Sequence, residues 1–246
     1  MKGLKSASAL LTTVICFALL VSCNSSPKKA ESAYRKMYDH ARLAQDYHTA
    51  ISALTLMAVH DSAGNPWVYD SLAFYHYFYN YTPGVVRNPN TPLYYAQKGL
   101  DIAPGNVFLK ELKGKLQLEM GKDTLSYNLF SELWQQTHDY TYWWDMTFIQ
   151  LGARGRFQDA DSMILMVMST PESDSKKVRL EHIPERMREE VPAKAAFLYL
   201  KGIMLNAQKQ PLKAAETWNE ALKIAPDFYA VKRSFYEMQQ AAQQGR

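Results

Sequence analysis

Between Ala195 and Asp227 the apolar positions fall into two helical stretches of complementary shape. Leu198, Gly202 and Leu205 occupy one stretch, Ala214, Trp218 and Ala221 the other, and Pro226 closes the second. Gly202 and Ala214 remove bulk where two helices would approach most closely, while Leu198, Leu205 and Trp218 fill the space around that approach. Pro226 lacks the amide hydrogen that a further helical turn needs. The spacing therefore predicts a helical hairpin with one apolar face left over. Such a face is stable only when another hairpin covers it, so the pattern should recur.

It does recur. From Glu31, residues Tyr34, Met37 and Ala41 are expected on the inner face of a first helix, with Tyr47, Ala50 and Leu54 on a second. A new start follows Gly64-Asn65-Pro66, carrying Leu72 and Ala73, and it ends in Leu100, Ile102 and Pro104 much as the later hairpin ends in Leu222, Ile224 and Pro226. An insertion from Asn80 to Asn90 interrupts this unit. Gly114, Gly121 and Phe130 mark the next, in which Ser126 stands where a small apolar residue is expected, and Trp144, Leu151, Gly155, Phe157, Ala160 and Ile164 mark another. The ordered set of Leu198, Gly202, Leu205, Ala214, Trp218, Ala221 and Pro226 resembles the 34-residue tetratricopeptide (TPR) unit. That resemblance implies an all-α, TPR-like α-solenoid of about five helical hairpins plus a C-terminal capping helix. The units are expected at about 31–64, 66–104, 107–140, 141–174 and 195–228, with an insertion at 175–194 and the cap at 229–246.

Thr170 to Pro192 breaks the phase with three prolines and a dense mixture of charges, so a continuous helix pair is excluded there. Two readings stand for this insertion, a functional segment or a solvated surface spacer. The charged insertion, followed by Val191 to Ala196 and by Lys201-Gly202, resembles a group of TPR proteins of Gram-negative envelopes. The likeness covers nearly all of the chain beyond the leader and implies an architecture without naming an activity.

The first residues change the picture by giving an address. Residues 1–22 read as a signal peptide, with Lys2 and Lys5 before an apolar run from Ala7 to Val21, too short and badly flanked for a spanning helix. Leu20-Val21-Ser22-Cys23 resembles a bacterial lipobox, which implies cleavage before Cys23 and acylation there by chains such as palmitate. Cys16 would leave with the leader, so Cys23 is expected to be the only thiol of the mature chain, and residues 23–30 to form a lipidated tether. Asn24 is not the Asp that resembles an inner-membrane retention signal, which makes the outer membrane the expected location. The chain is 47% hydrophobic, 21% charged and 13% aromatic with a net charge of +4, which suits a helix-rich globular domain and carries no nucleic-acid signature.

Enzymatic chemistry finds no foothold. The six histidines include no His-Glu-x-x-His pair, so no metal is expected. Gly114 to Lys122 has the wrong spacing for a phosphate loop, no Gly-x-Ser-x-Gly elbow occurs, and no cofactor is implied. What remains is surface. TPR geometry implies a partner-binding groove lined by Arg35, Asp39, Arg42, Trp67, Asp70, Phe74, Tyr77, Glu111, Lys115, Tyr142, Asp145, Tyr199 and Asn206, where aromatics and both charges suit a peptide. The reading is a non-enzymatic, membrane-anchored scaffold or adaptor lipoprotein that binds a partner protein or peptide in the envelope. The alternative is a glycan-binding lipoprotein with an aromatic face around Trp67, Tyr75 and Tyr77. Finally, Ser62, Ser71, Thr124 and Ser162 each follow an Asp. Those pairs resemble an O-glycosylation signal of certain envelope proteins, and helix capping, with Asp123 as the best example, is the competing reading.

Overall fold

A computed structural model describes residues 27–60, 64–182 and 187–244. Among them are eleven α-helices, a short 3-10 turn and one antiparallel pair of strands. The helices are α1 (Pro27–Leu43), α2 (Tyr47–His60), α3 (Pro66–Tyr79), α4 (Asn90–Ile102), α5 (Val107–Glu119), α6 (Asp123–Thr137), α7 (Tyr140–Leu151), α8 (Phe157–Ser169), α9 (Ala193–Ala207), α10 (Pro211–Ile224) and α11 (Tyr229–Gln243). Successive helices pack as hairpins, α1 with α2 through α9 with α10, and each hairpin also packs on the next. The molecule is thus a TPR-like α-solenoid closed by α11. Among the described residues no helix is long and apolar enough to cross a membrane. Cys23 and Ser62 lie outside the described residues.

Local chemistry sets the helix ends. Asn65 accepts from the Trp67 amide at 3.1 Å, Asn106 from the Leu109 amide at 3.1 Å and Asp139 from the Thr141 amide at 2.9 Å, so α3, α5 and α7 each start on a side-chain cap. Pro104 and Pro226 push the residue before them out of the helical region, and Ala103 (φ −127°) and Ala225 (φ −133°) are where α4 and α10 stop. Asp123 is the first residue of α6 rather than its cap, and Lys122 at the cap position makes no side-chain capping bond. Asp70 and Asp161 lie inside α3 and α8, so capping does not account for the Asp-Ser pairs there.

Among the described residues no single central core exists. Buried side chains form a string of clusters, beginning with Tyr38, Ala50, Leu54 and Leu72, passing through Ala96, Leu109 and Leu116, then Phe130, Leu133 and Ile149, and ending in a larger group around Ala160, Phe197 and Trp218. In α1 the buried residues are Tyr38 and Ala41, whereas Met37, expected inside, is 36% exposed. A Cβ on Gly202 would overlap the Trp218 indole nitrogen, and one on Gly114 would stand 2.8 Å from the Phe130 ring. Ser126 fits its small-residue position because its buried hydroxyl donates to the Gly114 carbonyl at 2.8 Å. Leu198, Ala214, Trp218, Ala221, Ala160 and Ala50 are buried, Leu205 and Trp144 are half-buried, and Pro226 is exposed.

The described residues of the insertion pack on the fold and are not a solvated spacer. After the 3-10 turn (Pro171–Ser175), β1 (Lys177–His182) and β2 (Met187–Pro192) pair antiparallel, with Val178 opposite Val191 and Leu180 opposite Glu189. Alternation sends Val178, Leu180 and Val191 into the C-terminal cluster and puts Arg179 and Glu181 on the other face. Glu189 lies beside Leu180 and accepts from the Tyr229 and Ala230 amides at 3.0 and 3.2 Å, and it bonds His182 at 2.7 Å. One carboxylate therefore fastens the hairpin to the start of α11.

Candidate functional site

The first helices of the central hairpins, together with the strand pair, enclose two adjoining hollows. One, of about 520 Å³, lies between α3, α5, the start of α7 and the strands, with Phe74, Phe78, Phe108, Glu111, Tyr142 and Arg188 among its walls. The second, of about 350 Å³, lies between α5, α7, β1 and α9, walled by Trp144, Asp145, Phe148, His182, Tyr199 and Ile203. Tyr77, Lys115, Arg179 and Glu181 border both.

The partition between the hollows is a chain of charges. The Lys115 ammonium bonds Glu111 and Glu181 at 2.8 Å each. Glu181 takes a second bond from Arg188 at 2.7 Å, its partner across the strands. Arg179 donates to Asp139 at 2.8 Å, so the carboxylate that caps α7 also holds β1, and the Arg179 amide donates to the Thr141 hydroxyl at 3.1 Å. Tyr142, only 1% exposed, donates its hydroxyl to Glu111 at 3.0 Å. Burial alone would lower the Lys115 pKa, but Glu111, Glu181 and Asp145 outweigh it and raise it. Burial likewise works to raise Glu181, and the Lys115 charge overrides it, leaving that carboxyl below its usual range.

Asp145 stands apart from this network. Its Oδ2 is buried and has no hydrogen-bond partner. Burial, opposed by the Lys115 charge and reinforced by Glu111 and Glu181, pushes its pKa up to about 7. In the combined lining, Glu111, Glu119, Asp139, Asp145 and Glu181 outnumber Lys115, Arg179 and Arg188. His182 is turned to Glu189. Beside Asp145 the Trp144 and Phe148 rings stack at 5.4 Å, nearly parallel, and Phe148 is exposed.

Of the groove positions expected from TPR geometry, Phe74, Tyr77, Glu111, Lys115, Tyr142, Asp145 and Tyr199 border the two hollows. The others lie elsewhere. Arg35 covers the Trp67 ring, 4.1 Å from its centroid, and pairs with Asp39 at 3.6 Å, while Arg42 is exposed on α1. Asp70 accepts from Asn106 at 2.9 Å between α3 and α5. Asn206 borders a separate hollow between α9 and α11. The aromatic face expected around Trp67 does not form. Tyr38 meets Trp67 edge-on at 5.3 Å, and Tyr75 and Tyr77 are buried, so the three rings leave no open platform for a sugar. Ser71 is half-buried within α3, Thr124 accepts from Arg154 at 3.2 Å, and the Ser162 hydroxyl donates to the Gln158 carbonyl at 2.9 Å.

Arg179, Glu181, Arg188 and Asp139 were outside the TPR frame and so were not among the expected groove residues. The alternation of Val178, Leu180 and Val191 with charged neighbours is the sequence signal that marks the first three.

No protein-family model matches this chain, and no curated protein matches it. Among solved structures, a tetratricopeptide repeat protein from Parabacteroides merdae aligns over 93% of this chain and 77% of its own, at 13% identity and TM-score 0.49. MamA from Desulfovibrio magneticus RS-1 aligns at 10% identity and TM-score 0.59, covering 82% of this chain and 98% of its own. A further MamA crystal structure aligns at 12% identity and TM-score 0.56, covering 80% and 92%. The likeness to MamA is one of fold, that of a TPR-like all-α solenoid.

Proposed function

We propose that this chain is a non-enzymatic scaffold of the cell envelope, anchored through lipid on Cys23 in the outer membrane, which holds a segment of a partner protein in the groove between α3, α5, α7 and α9. The observation that carries the reading is the larger hollow, in which exposed Phe74 and Phe108 stand beside a fixed set of charges. Aromatic anchors with oriented polar groups are what a peptide needs for affinity and register. The charged groups that border both hollows are held as ion pairs, Lys115 with Glu181 at 2.8 Å and Arg179 with Asp139 at 2.8 Å, which suits a fixed docking surface. The two MamA structures support the fold on which the reading rests.

The test is photo-crosslinking in intact cells with benzoyl-phenylalanine at Phe108, which is 41% exposed, compared with Leu165 on α8, which is 52% exposed and away from the groove. A discrete protein adduct from position 108, absent from 165, is the expected result. No adduct at 108, or the same adducts at both positions, overturns the groove as a docking site. Palmitate incorporation into the native chain, abolished by Cys23→Ala, is expected alongside, and an unlabelled native chain would overturn the anchor.

A further inference from the structure

We infer that the smaller hollow beside Asp145 is a subsite for a cationic side chain, the ammonium of a lysine or the guanidinium of an arginine, on the segment that occupies the groove. This rests on the scaffold reading above.

The first argument is an acceptor with no donor. Asp145 Oδ2 is buried without a hydrogen-bond partner, although buried polar atoms are almost always paired. The nearby cations are already engaged: Lys115 by Glu111 and Glu181 at 2.8 Å, Arg179 by Asp139 at 2.8 Å. In the structure neither cation is bonded to Asp145 Oδ2. The second argument is charge. Above about pH 7, where Asp145 is ionised, five carboxylates against three Lys and Arg side chains leave the lining with an acidic surplus, which an acidic occupant would worsen and a neutral one would leave in place.

The third argument is shape. The stacked Trp144 and Phe148 rings sit next to Asp145, with Leu118 and Ile203 in the same wall. An aromatic face beside a carboxylate suits a cationic head, and apolar walls suit its alkyl stem. A volume of about 350 Å³ has room for one such side chain.

The experiment uses the full chain purified in detergent and four fluorescently labelled pentapeptides that share an apolar frame and carry lysine, arginine, norleucine or glutamate at the centre. Anisotropy titration at about pH 8, where Asp145 is ionised, is expected to give the lysine or arginine peptide at least tenfold tighter binding than the norleucine peptide, and glutamate the weakest. Asp145→Asn, which keeps the shape, should bring lysine, arginine and norleucine to within about twofold. Phe148→Ala, on an exposed ring, should weaken only the cationic peptides. Equal affinity of the lysine, arginine and norleucine peptides for the unsubstituted chain overturns the subsite without reference to any variant. Spermidine binding as tightly as the lysine peptide, with the same dependence on Asp145, overturns a partner side chain as its occupant. The position-108 adduct separates the two claims: an adduct unchanged by Asp145→Asn sinks the subsite and leaves the scaffold standing, whereas charge-selective peptide binding without any adduct does the reverse.

Discussion

Asp145 is where a single proton should be felt in the stability of the fold. In an unfolded chain an aspartate titrates near about 3.9, whereas in the folded chain burial, with Lys115 opposing and Glu111 and Glu181 adding, holds it up to about 7. Between those values the folded state keeps a proton that the unfolded state has released. The contribution to stability is therefore fully present below about pH 4 and is lost as pH rises through 7. Arg179 also faces this carboxyl and lowers its pKa, and it stays charged throughout the window. Asp145→Asn removes the titration, so the variant should gain on the parent by about 1–3 kcal/mol between pH 5 and pH 8 in urea unfolding. An unchanged gap between the two proteins at both pH values would show that no proton is taken up there. Trp218 poses a simpler question of packing, being 3% exposed with its indole donating to the Tyr199 carbonyl at 3.1 Å. Trp218→Ala should cost about 3–5 kcal/mol, and a urea midpoint close to the parent's would contradict a buried ring. Gly202 and Trp218 are legible together in the chain because a missing side chain opposite a large one recurs at fixed spacing. Asp145 could be placed on a helix face in the same way, but its lack of a donor depends on residues from β1 that no repeat pattern positions.

At the scale of elements, the helical hairpins were readable because each needs small residues at its crossing and a proline or a cap at its ends, and those requirements leave marks at regular intervals. The strand pair left a weaker mark. Six-residue strands offer few alternations, and here Glu189 and His182 take inward positions that a hydrophobic pattern assigns to apolar residues. Those two polar side chains are tolerated because Glu189 accepts from His182 and from two amides at the start of α11. The same bonds make the hairpin a clasp between the groove and the C-terminal helix, with Arg179 and Glu181 gripping one side and Glu189 the other. Glu189→Ala should leave the α11 amides unpaired and destabilise that end by about 1–2 kcal/mol. Hydrogen exchange should be accelerated across α11 with α3 to α5 unaffected. Protection in α11 equal to the parent's would mean that burial of Phe228, Ala230 and Val231, not the carboxylate, holds the helix in place.

For the whole molecule, the string of separate clusters implies that stability is distributed along the chain instead of being held by one nucleus. The C-terminal cluster gathers side chains from α7 to α11 and both strands, from Leu151 to Val231, whereas the first cluster draws only on α1 to α3 with Tyr95 from α4 against its rim. Among the described residues the first hairpin has one neighbouring hairpin, and α1 leaves Met37 and Leu43 exposed. In a linear array each unit is stabilised by itself and its neighbours, so opening should begin at α1 and α2 and reach α9 and α10 last. Hydrogen exchange on the full chain should accordingly find protection in α9 and α10 at least tenfold above that in α1 and α2. Leu54→Ala, at a fully buried site of the first cluster, should speed exchange in α1 to α3 and leave α9 and α10 unchanged, whereas in a molecule with one shared core it would speed both ends alike. That second outcome would mean that the clusters are coupled into a single cooperative unit, and that a ligand in the groove would stabilise α1 as much as α9. With the expected gradient, groove occupancy should protect α3 to α9 and leave the first hairpin free to open.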